Sequence, residues 1–227
     1  MNLALRLFPD SVKVVVATSD MWERPVQAKE EAAILTALEK RKREYRAGRH
    51  CAAAALAQLG IESFPLLNDE QRAPKWPENI VGSLTHCDNF CCAVATNKPQ
   101  ITSLGIDAEP LKPLPEETTP LICNEAELSQ LRANNLKEAY WATVIFSAKE
   151  AFYKAYYPLR RQYLDFLQAS VEIHLDRSST EEYPHGEFVI QLLTPSHPDL
   201  YNQTSFTGRF VITPTHVLTA ITLFKPV

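Results

Sequence analysis

The segment EPLKPLPEETTP, Glu109–Pro120, decides how this chain is organised. Prolines at 110, 113, 115 and 120 deny it a continuous hydrogen-bond ladder, so it reads as a linker. Upstream, Lys13–Thr18 is a β-branched strand. Gln27 to Leu59 has helical periodicity through Ile34, Leu35 and Leu38, with an interruption expected near Gly48. It resumes through Ala52, Ala55, Leu56 and Leu59, and Gly60 is the expected cap. Pro65–Pro77 is a loop, followed by strands at Ile80–Leu84, Phe90–Thr96 and Ser103–Ala108. Downstream, Asn124 with Glu127 forms a helix-capping pair. A long amphipathic helix runs from about Lys137 to Tyr157, with Pro158 as its expected stop. Ala169–His174, Glu187–Leu193, Ser205–Ile212 and His216–Phe224 alternate like antiparallel strands. The order predicts an α+β protein with an N-terminal half at 1–109, a prolyl linker at 110–123 and a C-terminal half at 124–227. No sequence repeat relates the halves.

Composition narrows the function. The six glycines at 48, 60, 82, 105, 186 and 208 are never closer than twelve positions. Glycine-loop phosphate cradles, which need two within one turn, are therefore excluded. A net charge of −4 argues against a protein that coats nucleic acid. The N-terminus lacks a basic segment followed by an apolar one, and the longest uncharged stretch, His50–Ile61, is too short to span a bilayer. A cytoplasmic protein is expected, with Cys51, Cys87, Cys91, Cys92 and Cys123 as reduced thiols. His86-Cys87 and Cys91-Cys92 fit no common zinc spacing, and alternation through Cys91, Ala93 and Ala95 suits a half-buried strand.

Four groups of residues could do chemistry. Asp107 and Glu109, two apart on a strand, share a face and suit a hard cation; two solvated acids at a strand end are the bland alternative. In FSAKEAFYK, 146–154, Glu150 and Lys154 are four apart and could be a surface ion pair. Phe146 and Tyr153 instead put Glu150 at the edge of an apolar stripe, where a half-buried acid flanked by Lys149 and Lys154 suits a metal–phosphate site. GSLTH, 82–86, reads as a capped turn or as a polar strand end carrying Thr85 and His86. Arg41 and Arg49 close a run of five cations in nine residues, spaced near two helical turns. They could share one face and hold a phosphate bidentately, or simply be solvated.

Taken in order, KRKREYRAGRHCAAAAL (40–56), KWPENIVGSLTHC (75–87), SLGIDAE (103–109), FSAKEAFYKAYYP (146–158) and LDF (164–166) resemble the 4′-phosphopantetheinyl transferases. The likeness is to the enterobactin-synthetase and surfactin-type branch rather than to the small trimeric carrier-protein synthases, and it covers roughly residues 35–175. It implies a pseudo-symmetric pair of α/β halves with the site between them, and so a monomer. It also implies transfer of phosphopantetheine from coenzyme A to a carrier-protein serine, releasing adenosine 3′,5′-bisphosphate. By position, Asp107, Glu109 and Glu150 would hold Mg²⁺ or Mn²⁺, and Arg41 and Arg49 the 3′-phosphate. Thr85 and His86 would contact phosphates, Lys149 and Lys154 would offset charge, and Glu150 or a metal-bound water would be the base. Relatives often carry a lysine before the W-P pair; here Arg72 or Lys75 would supply that charge. Phe146 stands where the surfactin type tends to have Trp, and reads as core. Leu111, Leu114, Leu121 and Ile122 are the expected apolar contact for the carrier, since the neighbouring residues are acidic. A non-catalytic relative would not need three carboxylates. A nucleic-acid module would need exposed aromatics around Arg41–Arg49, where only Tyr45 is near.

Overall fold

A computed structural model describes residues 3–133, 140–177, 183–193 and 203–225. In chain order its elements are β1 (Lys13–Val16), α1 (Ala28–Ala32), α2 (Glu39–Ala57), β2 (Val81–Cys87), β3 (Phe90–Thr96) and β4 (Ile101–Pro110). Then come α3 (Thr119–Ile122), α4 (Glu125–Ala133), α5 (Trp141–Arg160), β5 (Ala169–Leu175), β6 (His185–Leu192), β7 (Ser205–Ile212) and β8 (His216–Phe224). The expected start of the long helix at Lys137 lies outside the described residues. No described helix is long and apolar enough to cross a membrane.

Two antiparallel sheets carry the helices. The first has the order β1-β3-β2 and the second β4-β8-β7-β6-β5. The sheets therefore divide in the turn before β4, not at the prolyl segment. β4 pairs with β8 from Ile101↔Phe224 to Pro110↔His216, so a strand assigned by sequence to the N-terminal half belongs to the C-terminal sheet. What joins β4 to β2 is side chain rather than backbone. Ser83 Oγ accepts from the Ile106 amide at 3.3 Å, and Thr85 Oγ1 accepts from the Ala108 amide at 3.0 Å. Two buried amides that a flat sheet would leave orphaned are thereby satisfied across the seam.

Helix α2 runs through Gly48 without a break; the interruption lies earlier, between α1 and α2. Its small buried face (Ala47, Cys51, Ala52, Ala55) packs on Cys91, Ala93 and Ala95 of β3. Tertiary burial outweighs the ~1 kcal/mol that glycine costs in a helix. β3 is buried on both faces rather than half-buried, because α2 covers one side while Cys92 and Val94 join a cluster with Phe8, Leu104 and Ile106. Gly60, at φ +81°, closes α2 as expected: its amide bonds to Ala57 O at 3.0 Å, and the Ile61 amide to Leu56 O at 3.0 Å. Asn124 and Glu127 form the expected cap, each side chain accepting from the other's amide at 2.9 and 2.7 Å.

Helix α5 buries Val144, Ile145, Ala148, Phe152 and Tyr156 against Phe188, Ile190, Phe206 and Ile221 of the larger sheet. Pro158 does not stop it. The helix ends at Arg160, and Arg161 turns left-handed at φ 56° with its amide on Tyr157 O at 2.7 Å. A proline so near the end forfeits one bond to the preceding turn without losing the last half-turn. The approach of α5 to β4 is set by Gly105, where a Cβ would lie 1.8 Å from the Ala151 carbonyl oxygen. Gly105→Ala should therefore cost about 3 kcal/mol or more by chemical denaturation. Gly60→Ala, which meets only backbone strain, should cost about 1 kcal/mol. Equal costs would contradict the close packing.

Candidate active site

A cavity of about 730 Å³ opens between α2, the 68–76 loop, β2 and α5. Arg41, Arg49, Lys75, Thr85, His86, Glu150 and Lys154 all line it, although they come from positions spread over more than a hundred residues. Arg72 lines it as well, so both cations offered for the missing loop lysine are present. The loop itself is tied down by Asp69, whose carboxylate accepts from the Gln71 and Ala73 amides at 3.0 and 2.8 Å. Arg161 at the end of α5 pairs with the same carboxylate and fastens the loop across the cavity.

The α2 side is cationic. Arg41 donates to His86 Nε2 at 2.8 Å, and Glu44 stands 3.6 Å from His86 Nδ1. Burial lowers the histidine pKa and Glu44 opposes that; because a guanidinium only donates, Nε2 is the acceptor. Arg49 is buried and donates to Asn68 Oδ1, and its guanidinium stacks 4.1 Å from the centre of the Tyr45 ring.

The α5 side is acidic with one ammonium in it. Lys154 Nζ reaches Asp107 Oδ1 at 2.6 Å, Ile106 O at 3.2 Å and Thr85 Oγ1 at 3.4 Å. The second oxygen of Asp107 accepts from Ser147 Oγ at 2.7 Å, and Ser147 is held in turn by Thr219 at 2.8 Å. Glu109 is pushed up to about 7, first by burial and then by the charge of Asp107, with Lys154 opposing and Glu150 adding to the rise. Glu150 is raised by burial, with Lys154 opposing and Asp107 adding. The three carboxylates thus feel one another's charge. Among the described residues no three His, Cys, Asp or Glu side chains are drawn into one metal-holding group. Asp107 is engaged instead by Lys154 and Ser147.

Two expectations, for Lys149 and for the apolar docking residues, are corrected. Lys149 does not face the cavity: it is 4% exposed and gives its protons to Ile122 O (2.8 Å), Phe166 O (2.9 Å) and Glu127 (2.9 Å). Glu127, 2% exposed, also accepts from the Val171 amide at 2.7 Å, so the pair fastens α3, α4 and β5 to α5. Thr85 lines the cavity, and its hydroxyl accepts from the Ala108 amide and donates to Asp107, at 3.0 and 3.3 Å. Of the four apolar residues expected at a docking face, Ile122 is core and Leu111 and Leu114 pack on the core, while Leu121 is 65% exposed. Sequence reasoning missed Ser147, Thr219 and the Asp69–Arg161 pair. Ser147 sits inside the quoted motif, but its partners are 40 and 72 positions away, so no local signal marks them.

Comparison with known proteins gives the family. Residues 29–96 match the 4′-phosphopantetheinyl transferase N-terminal domain, and residues 103–212 match the 4′-phosphopantetheinyl transferase superfamily. The chain belongs to that superfamily. It is 35% identical over 212 residues to the 4′-phosphopantetheinyl transferase Npt of Nocardia iowensis, covering 91% of this chain and 95% of that one. It is 34% identical over 230 residues to PptT of Mycobacterium tuberculosis, covering 98% of each. Enterobactin synthase component D of Salmonella typhi shares 35% identity over 119 residues, 52% of this chain and 49% of that protein.

The Lys149–Glu127 pair yields a prediction about stability. Lys149→Ala leaves a buried carboxylate unpaired and should lower unfolding free energy by about 3–5 kcal/mol in a denaturant titration. A loss within 1 kcal/mol would show that the pair does not hold this wall.

Proposed function

We propose that the chain transfers the 4′-phosphopantetheine group from coenzyme A to the serine of a carrier protein, releasing adenosine 3′,5′-bisphosphate. What supports the reading is one cavity with an arginine wall on α2 and a carboxylate–lysine wall on α5. Phosphoryl transfer needs positioning and charge neutralisation more than covalent catalysis, and this equipment supplies both. Arg41 and Arg49 hold the nucleotide's terminal phosphate, with Lys75 and His86 beside them on the cavity wall. Lys154, anchored on Asp107, offsets charge that develops on the transferring phosphate. Glu150, half-buried on the cavity wall beside Lys154, takes the serine proton.

The donor set fits a divalent cation. Asp107, Glu109 and Glu150 are hard oxygen ligands whose mutual repulsion a dication would relieve. These three would hold Mg²⁺ or Mn²⁺, which when bound supplies charge neutralisation at the pyrophosphate. Both walls lie within one chain, so the enzyme acts as a monomer.

Incubation with coenzyme A, Mg²⁺ and an apo-carrier should add the mass of one phosphopantetheine to the carrier. No gain with fatty-acid, polyketide and peptide carriers would overturn the proposal. Glu150→Gln should lower the transfer rate by about 10²–10⁴-fold while coenzyme A still binds. Full activity in that variant would remove Glu150 from the mechanism. EDTA should stop transfer, and Mg²⁺ should raise the melting temperature of the wild type but not of Glu109→Gln. An equal rise in both would take Glu109 out of the cation site.

A further inference from the structure

Three donors on the cavity wall have no acceptor. Tyr45 Oη, Arg49 Nε and Trp76 Nε1 are buried and make no hydrogen bond, and all three residues line the cavity. Leaving a buried donor unmet costs about 1–3 kcal/mol, more for a charged group, so three around one cavity point to an acceptor that enters it. Tyr45 and Arg49 are one helical turn apart on α2, and only 6% and 5% exposed. Their stacking at 4.1 Å fixes the guanidinium plane and brings the phenol and the unused guanidinium edge into one neighbourhood. Among the described residues no carboxylate forms an ion pair with Arg49. Its contact with Asn68 Oδ1 satisfies one nitrogen and neutralises nothing. A buried cation without a counter-charge is offset best by a doubly charged anion that also accepts several hydrogen bonds, and a phosphate monoester has both properties.

We propose that Tyr45 is a further binding residue, its hydroxyl donating to the same terminal phosphate monoester that Arg49 Nε holds. This rests on the reading of coenzyme A as substrate, in which the 3′-phosphate is the monoester and the pyrophosphate belongs to the α5 wall. The hydroxyl makes no well-formed hydrogen bond, and Arg49 beside it is its electrostatic neighbour, so its donor is left for a group that enters the cavity. Its value is realised only on binding, and it separates coenzyme A from the same molecule lacking the 3′-phosphate.

Calorimetry of wild type and Tyr45→Phe with coenzyme A and with 3′-dephospho-coenzyme A tests this. Coenzyme A affinity should fall about tenfold or more in the variant, the loss of one hydrogen bond to a charged group. Affinity for 3′-dephospho-coenzyme A should be the same in both proteins. The variant should melt at the wild-type temperature or above it, since the hydroxyl removed was unpaired. Unchanged coenzyme A affinity, equal loss for both ligands, or a clear fall in melting temperature would each overturn the assignment. A wild type that binds neither ligand would overturn the coenzyme A reading itself, an outcome visible without the variant.

Discussion

The ammonium of Lys154 on the carboxylate of Asp107, at 2.6 Å, is the contact around which the rest of the molecule is arranged. Three elements converge on it: β2 through Thr85, β4 through Ile106 and Asp107, and α5 through Lys154 and Ser147. Burying two charges is costly unless every remaining hydrogen-bonding site is filled. Here Ser147, Thr219 and Thr85 fill them. The demand explains the glycine and alanines nearby. Gly105 lets α5 approach β4, and Ala148, Ala151 and Ala155 keep the helix face flat enough to stay there. It also explains the seam between the sheets, where the hydroxyls of Ser83 and Thr85 serve amides that no neighbouring strand reaches.

The two lysines of α5 divide the labour between fold and site. Five residues at 3.6 per turn place Lys149 and Lys154 about 140° apart, so they cannot serve one ligand from one face. Lys149 turns into the core, where its three acceptors close off the wall behind Glu150. Lys154 and Glu150, about 40° apart, turn towards the cavity. One helix thus carries a buried ion pair that holds the wall and a half-buried one that belongs to the cavity.

Much of this was legible in the sequence, for local reasons. Strand β3 has the expected bounds, and Asn124–Glu127 and Gly60 cap their helices, because capping is decided within a few residues. The grouping of Arg41, Arg49, His86, Glu150 and Lys154 was readable only as an ordered set of motifs, since their separation in the chain hides their proximity. What escaped notice depends on register and burial. The membership of β4 in the larger sheet is fixed by its ladder with β8, more than a hundred residues on. Thr219 supports the site only because it lies opposite Asp107 in that ladder. The inward turn of Lys149 follows from helical angle, which residue type alone conceals. The continuity of α2 through Gly48 reflects packing on β3 that propensity does not see.

The central claim is that one cavity holds a nucleotide by arginines on one wall and presents its phosphate to a carboxylate–lysine wall on the other. A crystal structure with coenzyme A bound tests it most directly. The account predicts the terminal phosphate against Arg41 and Arg49, with the pyrophosphate beside Lys154 and within reach of Glu150. Coenzyme A seated outside this cavity, or in it with the pyrophosphate on the α2 arginines, would contradict the account.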